Sequence, residues 1–335
     1  MAKWYKDSGF QSYIVLSTRV RLARNLRSVP FPGKMSDSQA QSVIDTVENA
    51  LSTVNMGFKR TDILATSPTE REKLVEERLI SPNLARRRMP AAVFVSEAES
   101  LSVMVNEEDH IRMQAIFAGF ECQKAYELVS GLDSYMAKSL DYAVHSKYGY
   151  LTSCLTNVGT GIRISVMMHL PAICKAKLAD SLFSAMGKLG VTLRGMYGEG
   201  SKASGYLFQI SNQMTLGLDE KEIADRLNDV VNQLISKERE LRREIAKNEG
   251  MTLEDKVMRS LGVLATARLL STKEMLTLFS NVRMGISLGY INNVASETLN
   301  TLMVETGAAH LAEETESVAD RDARRASIVR ETINL

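Results

Sequence analysis

Apolar and polar positions follow two different rhythms along the chain, and the change between them falls near residue 218. Before it, short segments rich in β-branched or aromatic residues are bounded by Gly, Asn or Ser, which is typical of strands. The predicted strands are Tyr13–Leu16, Ala91–Ser96, Leu101–Val105, Gly149–Thr152, Arg163–Leu170, Val191–Tyr197 and Gly205–Ser211.

Helical patterns separate these strands at about 36–55, 111–142 and 172–188. Ser36 followed by Gln39 fits a capping box, and Pro171 suits a first helical position. The pattern therefore predicts an α+β domain over residues 1–218, with a mostly antiparallel sheet flanked by helices.

The remaining stretch, residues 219–335, reads as an all-helical domain. It contains no proline, and its only aromatic residues are Phe279 and Tyr290, so strong helix breakers and strand-favouring side chains are scarce. Asp219 is a predicted cap for a helix running to about 247, and a last helix is predicted at about 317–333.

Two further helix starts are predicted in this region from capping boxes. They pair Thr252 with Asp255 and Ser271 with Glu274.

Bulk composition narrows the class of function. The 335 residues are 44% hydrophobic and 24% charged, which is typical of a soluble globular protein. With 41 basic and 40 acidic residues the formal net charge is +1, so no general attraction to nucleic acid or an anionic membrane is expected. No long apolar run or signal-peptide pattern is present. Three scattered cysteines favour a reducing cytoplasm, and the four histidines predict no structural zinc or other protein-held metal site.

Arginines recur at the ends of predicted strands, beginning with Ser17-Thr18-Arg19-Val20-Arg21. In an extended backbone Arg19 and Arg21 lie on the same side, where two guanidinium groups can clamp neighbouring phosphates. The alternative is that Arg19 and Arg21 simply lie on a solvated strand face.

Acidic residues follow the strand pattern at Asn106-Glu107-Glu108-Asp109-His110. Such acids usually mark a solvated turn or a helix N-terminus, but a guanidinium substrate needs a fixed carboxylate, and Glu108 is our choice. Arg112, four positions later, is expected to point back at the phosphates.

A thiol and a glycine loop come next. Cys154 precedes Gly159-Thr160-Gly161, whose backbone can approach an anion closely, and Arg163 begins the following strand. Most such glycine pairs are ordinary turns. Cys122 and Cys174 lie in helical patterns and are interpreted as core residues.

A second carboxylate follows in Arg194-Gly195-Met196-Tyr197-Gly198-Glu199. A guanidinium has a pKa above about 12, so its nitrogen attacks only after losing a proton. Glu108 and Glu199 together can orient the group and take the proton, while arginines and Mg²⁺ neutralise the moving phosphoryl group. The residues thus suggest a nucleoside triphosphate as phosphoryl donor.

Together, these four motifs resemble the catalytic domain of the guanidino-phosphotransferase (phosphagen kinase) family, in the family's order and over about residues 13–218. The resemblance implies that Glu108 and Glu199 are catalytic carboxylates and that Cys154 is the active-site thiol. It implies nucleotide binding by Ser17, Thr18, Arg19, Val20, Arg21, Arg78, Arg112, Arg163, Ile164, Ser165, Val166, Met167, Arg194, Gly195, Met196, Tyr197, Gly198 and Glu199.

Two positions depart from the family pattern. Leu155 follows Cys154 where the family usually has proline. Arg78 stands where relatives often have a nucleotide-contacting histidine, and an arginine there can stack on a purine.

The chain resembles one branch of that superfamily more than the others. Only 16 residues precede Ser17, whereas phosphagen kinases place a helical domain there, and this chain carries a helical C-terminal extension instead. Both features are similar to the bacterial protein-arginine kinases of the McsB type. Arg321-Asp322-Ala323-Arg324-Arg325-Ala326 matches that branch's Arg-Asp-x-x-Arg-Ala motif. The resemblance implies allosteric phosphoarginine binding by Arg321, Asp322, Arg325 and Ala326; without it, a solvated helix is the simpler interpretation.

The resemblance implies an ATP-dependent kinase that marks protein arginines for a Clp-type chaperone-protease in the bacterial stress response. The implied partners are substrate proteins, including a stress-gene repressor, a zinc-binding activator protein and a second copy of the chain in a homodimer, with neither nucleic acid nor membrane. Two alternatives stay open: a small-molecule arginine or guanidino kinase, and a non-catalytic phosphoarginine-binding adaptor.

Overall fold

The computed structural model of the chain describes residues 3–195, 203–315 and 317–333. The strands in these residues are β1 (Val15–Arg24), β2 (Lys59–Asp62), β3 (Ala92–Val95), β4 (Leu101–Val105), β5 (Ile111–Ala118), β6 (Val144–His145), β7 (Gly149–Tyr150), β8 (Ile162–His169), β9 (Val191–Gly195) and β10 (Leu207–Asn212). The α-helices are α1 (Asp37–Ser52), α2 (Pro68–Glu76), α3 (Pro82–Ala85), α4 (Cys122–Met136), α5 (Pro171–Lys175), α6 (Ala179–Lys188), α7 (Glu220–Glu249), α8 (Met251–Thr266), α9 (Thr272–Leu288), α10 (Ser296–Glu305), α11 (Ala308–Leu311) and α12 (Val318–Thr332).

One large sheet organises the molecule. Its eight strands run in the order β2-β3-β4-β5-β1-β8-β10-β9, and the neighbours pair antiparallel. β1 lies near the centre, between β5 and β8, while β6 and β7 form a separate hairpin. The α+β prediction with a mostly antiparallel sheet and a helical C-terminal region is confirmed.

The two faces of this sheet are covered differently. On one face, Val20 and Leu22 of β1 pack with Ile164 of β8 in a first core that also takes the buried sides of α1, α4 and α7. On the other face, Leu16 and Met167 belong to a second core formed with α8, α9, α10 and α12. The remainder of that second face carries a group of five arginines, Arg19, Arg21, Arg112, Arg163 and Arg194.

Helix α7 bears on the domain division. Its buried residues Leu227, Val231 and Leu234 belong to the first core, with the sheet, whereas the helices after it build the second core. The division at 218 and 219 into catalytic and helical domains stays a prediction.

Of the four predicted N-cap residues, three are confirmed and one is wrong. Ser36, Asp219 and Ser271 each accept a hydrogen bond from the backbone N–H three residues later. Thr252 is not a cap, because α8 begins at Met251 directly after Gly250, where α7 ends.

The helix predicted for 111–142 is wrong in its first part. Residues Ile111–Ala118 form β5, which pairs with β1 on one side and β4 on the other, and only Cys122–Met136 is helical. Met, Gln, Ala and Arg favour a helix locally, but the ladders on both sides override that preference. Arg112, which the sequence pattern places at the start of a helix, therefore lies in a strand of the sheet.

The ends of several other strands and helices also differ from the prediction. β1 extends to Arg24, well beyond the predicted Leu16, and the predicted helix at 172–188 is two helices separated near Lys177, whose φ is +57°. The predicted strand at Gly149 belongs to the small hairpin. No helix in the described part of the chain has the length and apolarity that a membrane crossing requires.

Candidate active site

Five arginines project from the second face of the sheet, beside the residues that belong to the second core, and we call this set the arginine face. Arg21 lies opposite Arg163 on β8 and Gln114 on β5, and Arg19 lies on the same side of β1 because side chains alternate along a strand. Arg112 and Arg194 complete the set from β5 and β9. The predicted same-side placement of Arg19 and Arg21 is confirmed.

Positive charge at the arginine face is poorly compensated by the described residues. Arg21 is 9% exposed, and its Nε atom has no hydrogen-bond partner there. Burial, reinforced by the charges of Arg19, Arg112 and Arg163, holds the pKa of Arg21 well below its ordinary value. Burial and the cations Arg78, Arg112 and Arg163 lower the pKa of Arg19 to about 9. Since a guanidinium keeps its proton, this crowding marks a site that favours an anion.

Glu107 supplies the counter-charge to one of these arginines, and sequence reasoning did not select it. Its side-chain oxygens accept hydrogen bonds from Arg112 Nη1 at 2.6 and 2.7 Å, and the Ser81 hydroxyl also donates to it. Burial opposes ionisation, but Arg112 and Ser81 outweigh it and lower the pKa of Glu107. The sequence feature that brings Glu107 and Arg112 together is the tight turn between β4 and β5. That turn can be recognised in the sequence only if β5 is read as a strand.

Glu108 lies exposed on the same turn, beside Cys154. The Cys154 thiol is hydrogen-bonded to Thr156 Oγ1 at 3.0 Å and lies close enough to the Glu108 carboxyl group and to Arg163 to influence the pKa of each. Although the residue as a whole is exposed, partial desolvation of its carboxyl group and the neighbouring charges of Asp109 and Glu107 raise the pKa of Glu108. A carboxylate with a raised pKa is a stronger base, which suits proton removal from a guanidinium.

Asp109 fixes the two reactive loops to each other, a role that sequence reasoning missed. Its buried Oδ1 accepts hydrogen bonds from the backbone N–H of Ser153 at 2.7 Å and from Asn25 Nδ2 at 2.6 Å. The loop that carries Cys154 is thereby tied to the turn that carries Glu108.

The glycine loop packs against protein rather than standing open. A Cβ at Gly159 (φ +115°) would overlap the Thr215 carbonyl, and one at Gly161 (φ +66°) would lie 2.6 Å from the Ala23 carbonyl. These close approaches account for both glycines without a phosphate. Leu155, at the position where proline is usual in relatives, is 87% exposed.

Arg78 joins the arginine face from outside the sheet. Its Nη1 donates to Ser17 Oγ at 3.3 Å, and its guanidinium lies 4.8 Å from the ring centre of Trp4. The aromatic partner in the structure is therefore a tryptophan of this chain.

The other predicted nucleotide-binding residues divide between the two faces. Ser17, Ser165 and Met167 alternate with the first-core residues and lie on the same side as the arginine face. Side chains buried on the opposite side are Thr18, Val20, Ile164 and Val166. Gly195 ends β9. Met196, Tyr197, Gly198 and Glu199 lie outside the described residues.

The predicted phosphoarginine motif lies on α12. Arg325 is 2% exposed and donates to the carbonyls of Thr306 at 3.1 Å and Leu270 at 2.8 Å, and to Asp322 Oδ1 at 2.5 Å. Ala326 is in the second core, whereas Arg321 is only partly buried. Phosphoarginine binding by these residues stays a prediction.

The described ranges contain no group of three or more His, Cys, Asp or Glu side chains placed to hold a metal ion. A Mg²⁺ ion carried by phosphate oxygens and water fits this site without such a group.

Comparison with known proteins agrees with this geometry. Residues 40–241 match the family described as ATP:guanido phosphotransferase, C-terminal catalytic domain, and residues 250–335 match the protein-arginine kinase McsB C-terminal domain. The chain is 44% identical to a protein-arginine kinase of Bacillus pumilus (strain SAFR-032), covering 100% of this chain and 94% of that protein. It is also 44% identical to a protein-arginine kinase of Halalkalibacterium halodurans, covering 100% of this chain and 96% of that one.

A solved structure shares the fold. A lombricine kinase superposes with a TM-score of 0.62 at 23% identity, over 71% of this chain and 69% of that chain. The chain therefore belongs to the ATP:guanido phosphotransferase family, in the branch that carries the McsB C-terminal domain.

Proposed function

We propose that this protein transfers the γ-phosphoryl group of ATP to arginine side chains of other proteins. The observation that carries the proposal is the poorly compensated arginine face beside a basic carboxylate and a thiol, Glu108 and Cys154. Relatives at 44% identity over the whole chain are named protein-arginine kinases, which favours a protein arginine as the acceptor.

The triphosphate binds along the arginine face. Arg19, Arg21 and Arg163 supply bidentate, charge-assisted hydrogen bonds that the anion completes, so the repulsion among the guanidinium groups is relieved on binding. Mg²⁺ bound with the nucleotide supplies further neutralisation of phosphate charge. Fixed cations then stabilise the phosphoryl group as it moves, without reorganisation of water.

The acceptor guanidinium lies between Glu108 and Cys154. Glu108 takes a proton from the guanidinium as one of its nitrogens attacks the γ-phosphorus, a new N–P bond forms, and the bond from that phosphorus to the β,γ-bridging oxygen breaks. ADP keeps the electron pair of the broken bond. Glu199, which follows the last described residue of β9, is the proposed second carboxylate on the same guanidinium.

An accessible acceptor position favours a protein substrate over free arginine. Glu108 is exposed, and the neighbouring Leu155 is 87% exposed, so an arginine presented on a large surface can reach the carboxylate. A free amino acid gains little enclosure from such a site.

The test is incubation with Mg²⁺-ATP and casein, in parallel with free arginine, with phosphate located by mass spectrometry under non-acidic handling. We expect label on casein arginines, and a loss of about 100-fold or more in kcat for Glu108→Gln, as for removal of a catalytic proton acceptor. Glu240→Gln, a change at an exposed carboxylate of α7, is the matched control and should retain full activity.

Label on free arginine alone would replace the proposal with a small-molecule guanidino kinase. Label on neither acceptor, with the folded protein still binding phosphoarginine, would favour the adaptor.

The cellular role extends this proposal on the strength of the same family membership. We propose a cytoplasmic homodimer whose phosphoarginine marks direct proteins to a Clp-type chaperone-protease under stress, with a stress-gene repressor among the substrates and a zinc-binding protein as activator. Co-purification of the chain with such a protease, dependent on Mg²⁺-ATP, would support this role; phosphorylated casein that the protease degrades no faster than unmodified casein would count against it.

A further inference from the structure

Three consecutive residues at the end of α2 connect three separate parts of the molecule. Glu76 contacts the start of α11 in the C-terminal region, Glu77 contacts the N-terminal segment, and Arg78 reaches the arginine face. The backbone therefore links a C-terminal helix to a cation of the proposed phosphate site within three residues.

The contact made by Glu76 is specific. Its carboxylate accepts hydrogen bonds from the N–H groups of Ala309 at 2.9 Å and His310 at 3.2 Å, and from His310 Nδ1 at 2.7 Å. A Cβ built on Gly307 would overlap this carboxylate, so the absence of a side chain at 307 leaves room for it. Gly307 has a φ of −60°, which any residue adopts, so space rather than backbone conformation explains the glycine.

Glu77 extends the contact to the N-terminal segment. Its carboxylate accepts from Lys3 Nζ at 2.9 Å and Tyr5 Oη at 3.2 Å, and lies 3.8 Å from His310 Nε2. Its carbonyl accepts from Trp4 Nε1 at 2.8 Å, which holds the indole under the Arg78 guanidinium. His310 thus lies between both glutamates.

Arg78 itself has a strained backbone. Its φ of +63° is uncommon for a residue with a side chain, and such a conformation persists only where the surroundings determine it. Gln114 Nε2, from the strand next to Arg21, donates to the Arg78 carbonyl at 2.7 Å. The position of Arg78 relative to the sheet thus depends on contacts made by its neighbours.

We propose that His310 is a positioning residue for nucleotide binding: by holding Glu76 and Glu77 it fixes Arg78 against the arginine face. The proposal rests on the proposed function, in which this face binds the phosphates of ATP. His310 belongs to the C-terminal region and touches no substrate. Through His310, that region helps to set the position of Arg78 at the phosphate site.

The test compares His310→Ala, His310→Gln and Gly307→Ala. Gly307→Ala keeps every charged group and displaces the Glu76 carboxylate, which is the flexible end of its side chain. Glu313→Gln is the matched control: it removes the 2.8 Å ion pair with Lys73 between α2 and the segment after α11, but touches neither Glu76 nor Glu77. Thermal unfolding verifies that each variant is folded.

We expect the KM and the Kd for Mg²⁺-ATP to rise roughly fivefold in His310→Ala and Gly307→Ala, within the range for changes that act through a packed network, with less effect on kcat. His310→Gln, which keeps one hydrogen bond, should be intermediate, and Glu313→Gln should match wild type.

A double-mutant cycle with Arg78→Ala separates positioning from a general structural role. If His310 acts through Arg78, His310→Ala adds no further loss of ATP affinity once Arg78 is alanine. Additive losses, or an unchanged ATP affinity in both His310→Ala and Gly307→Ala, would overturn the proposal.

Calorimetric ATP binding distinguishes this proposal from the proposed function. A non-additive cycle in a protein that transfers no phosphate to arginine would retain the positioning role and overturn the kinase. A wild-type protein that binds no Mg²⁺-ATP would overturn both.

Discussion

Arg21 and Arg24 lie three positions apart on β1, yet they have opposite surroundings because they project from opposite faces of the sheet. Arg24 is fully buried on the face of the sheet that forms the first core. It donates hydrogen bonds to Asp133 at 2.6 Å and to the carbonyls of Ala23 and Thr160 at 2.9 Å each. Its guanidinium also lies 3.5 Å from the ring centre of Tyr150. Burial alone would lower its pKa, but Asp133 outweighs burial and raises it.

Arg21 is almost as buried, but the part of the chain that the structure describes gives it no comparable partners. Burial and the charges of Arg19, Arg112 and Arg163 lower its pKa and outweigh the opposing effect of Glu107, and its Nε has no hydrogen-bond partner in the described residues. Removing a buried cation that is fully compensated leaves its partner charge unpaired and destabilises the fold, whereas a cation left among like charges lowers stability and favours a ligand that brings the counter-charge. The comparison separates structural from functional arginines on one strand.

The largest effect is expected at the compensated arginine. Arg24→Ala leaves the Asp133 carboxylate buried without its cation and should lower the free energy of unfolding by about 3–5 kcal/mol. Arg27→Ala, which removes an exposed ion pair with Asp141, is the control and should cost less than about 1 kcal/mol. Denaturant unfolding measures both; equal losses would erase the distinction between the two kinds of arginine.

The opposite result is expected on the other face. Arg21→Met should weaken Mg²⁺-ATP binding about tenfold or more, the value of a lost charge-assisted hydrogen bond. Its free energy of unfolding should stay within about 1 kcal/mol of wild type or rise, because the crowding of cations is relieved. Calorimetry and denaturant unfolding provide the two numbers. A large loss of stability with unchanged affinity would make Arg21 structural.

Glu107 lies between the two cases, since it compensates one member of the arginine face. Glu107→Gln leaves Arg112 without its counter-charge and should cost about 1–3 kcal/mol of unfolding free energy. Saturating Mg²⁺-ATP should restore more stability to this variant than to wild type, because phosphate replaces the missing charge. Equal thermal shifts in the two proteins would contradict this.

The smallest effect is expected at His310, whose contacts with Glu76 and Glu77 are partly exposed to solvent. Hydrogen bonds with Glu76 and Glu77 raise the pKa of His310 from its ordinary 6.5 to about 9. A raised folded-state pKa means that the stabilisation is complete below about pH 6.5 and is lost as the pH rises through about 9.

Unfolding of wild type and His310→Gln between pH 6 and pH 10 tests this. The two stability curves should converge as the pH rises through about 9, and curves that stay parallel would show that His310 is not charged in the folded protein.

Much of the fold was predictable from local pattern. Leu101–Val105 is short, mostly apolar and bounded by turn residues, and it is a strand with those bounds. Asp219 with Glu222 encodes its own helix start. Such elements depend on neighbours in sequence, so the sequence contains the information needed to place them.

The candidate site was only partly predictable. A two-residue period places Arg19 and Arg21 on one face of a strand wherever that strand lies. Glu107, Asp109 and Gln114 were missed because their partners are fixed by the β4–β5 turn and by pairing across the sheet, and β5 had been assigned to a helix.

What the sequence determined by itself is the set of chemical groups and the side of each element on which they lie. Tertiary structure alone decided which groups are compensated, because the Coulomb energy of a buried charge depends on what surrounds it in space. Arg21 and Arg24 are residues of the same type on the same strand. Only the packing of α4, which brings Asp133 to one face, and the like charges gathered on the other face make one structural and the other a phosphate ligand in the proposed reaction.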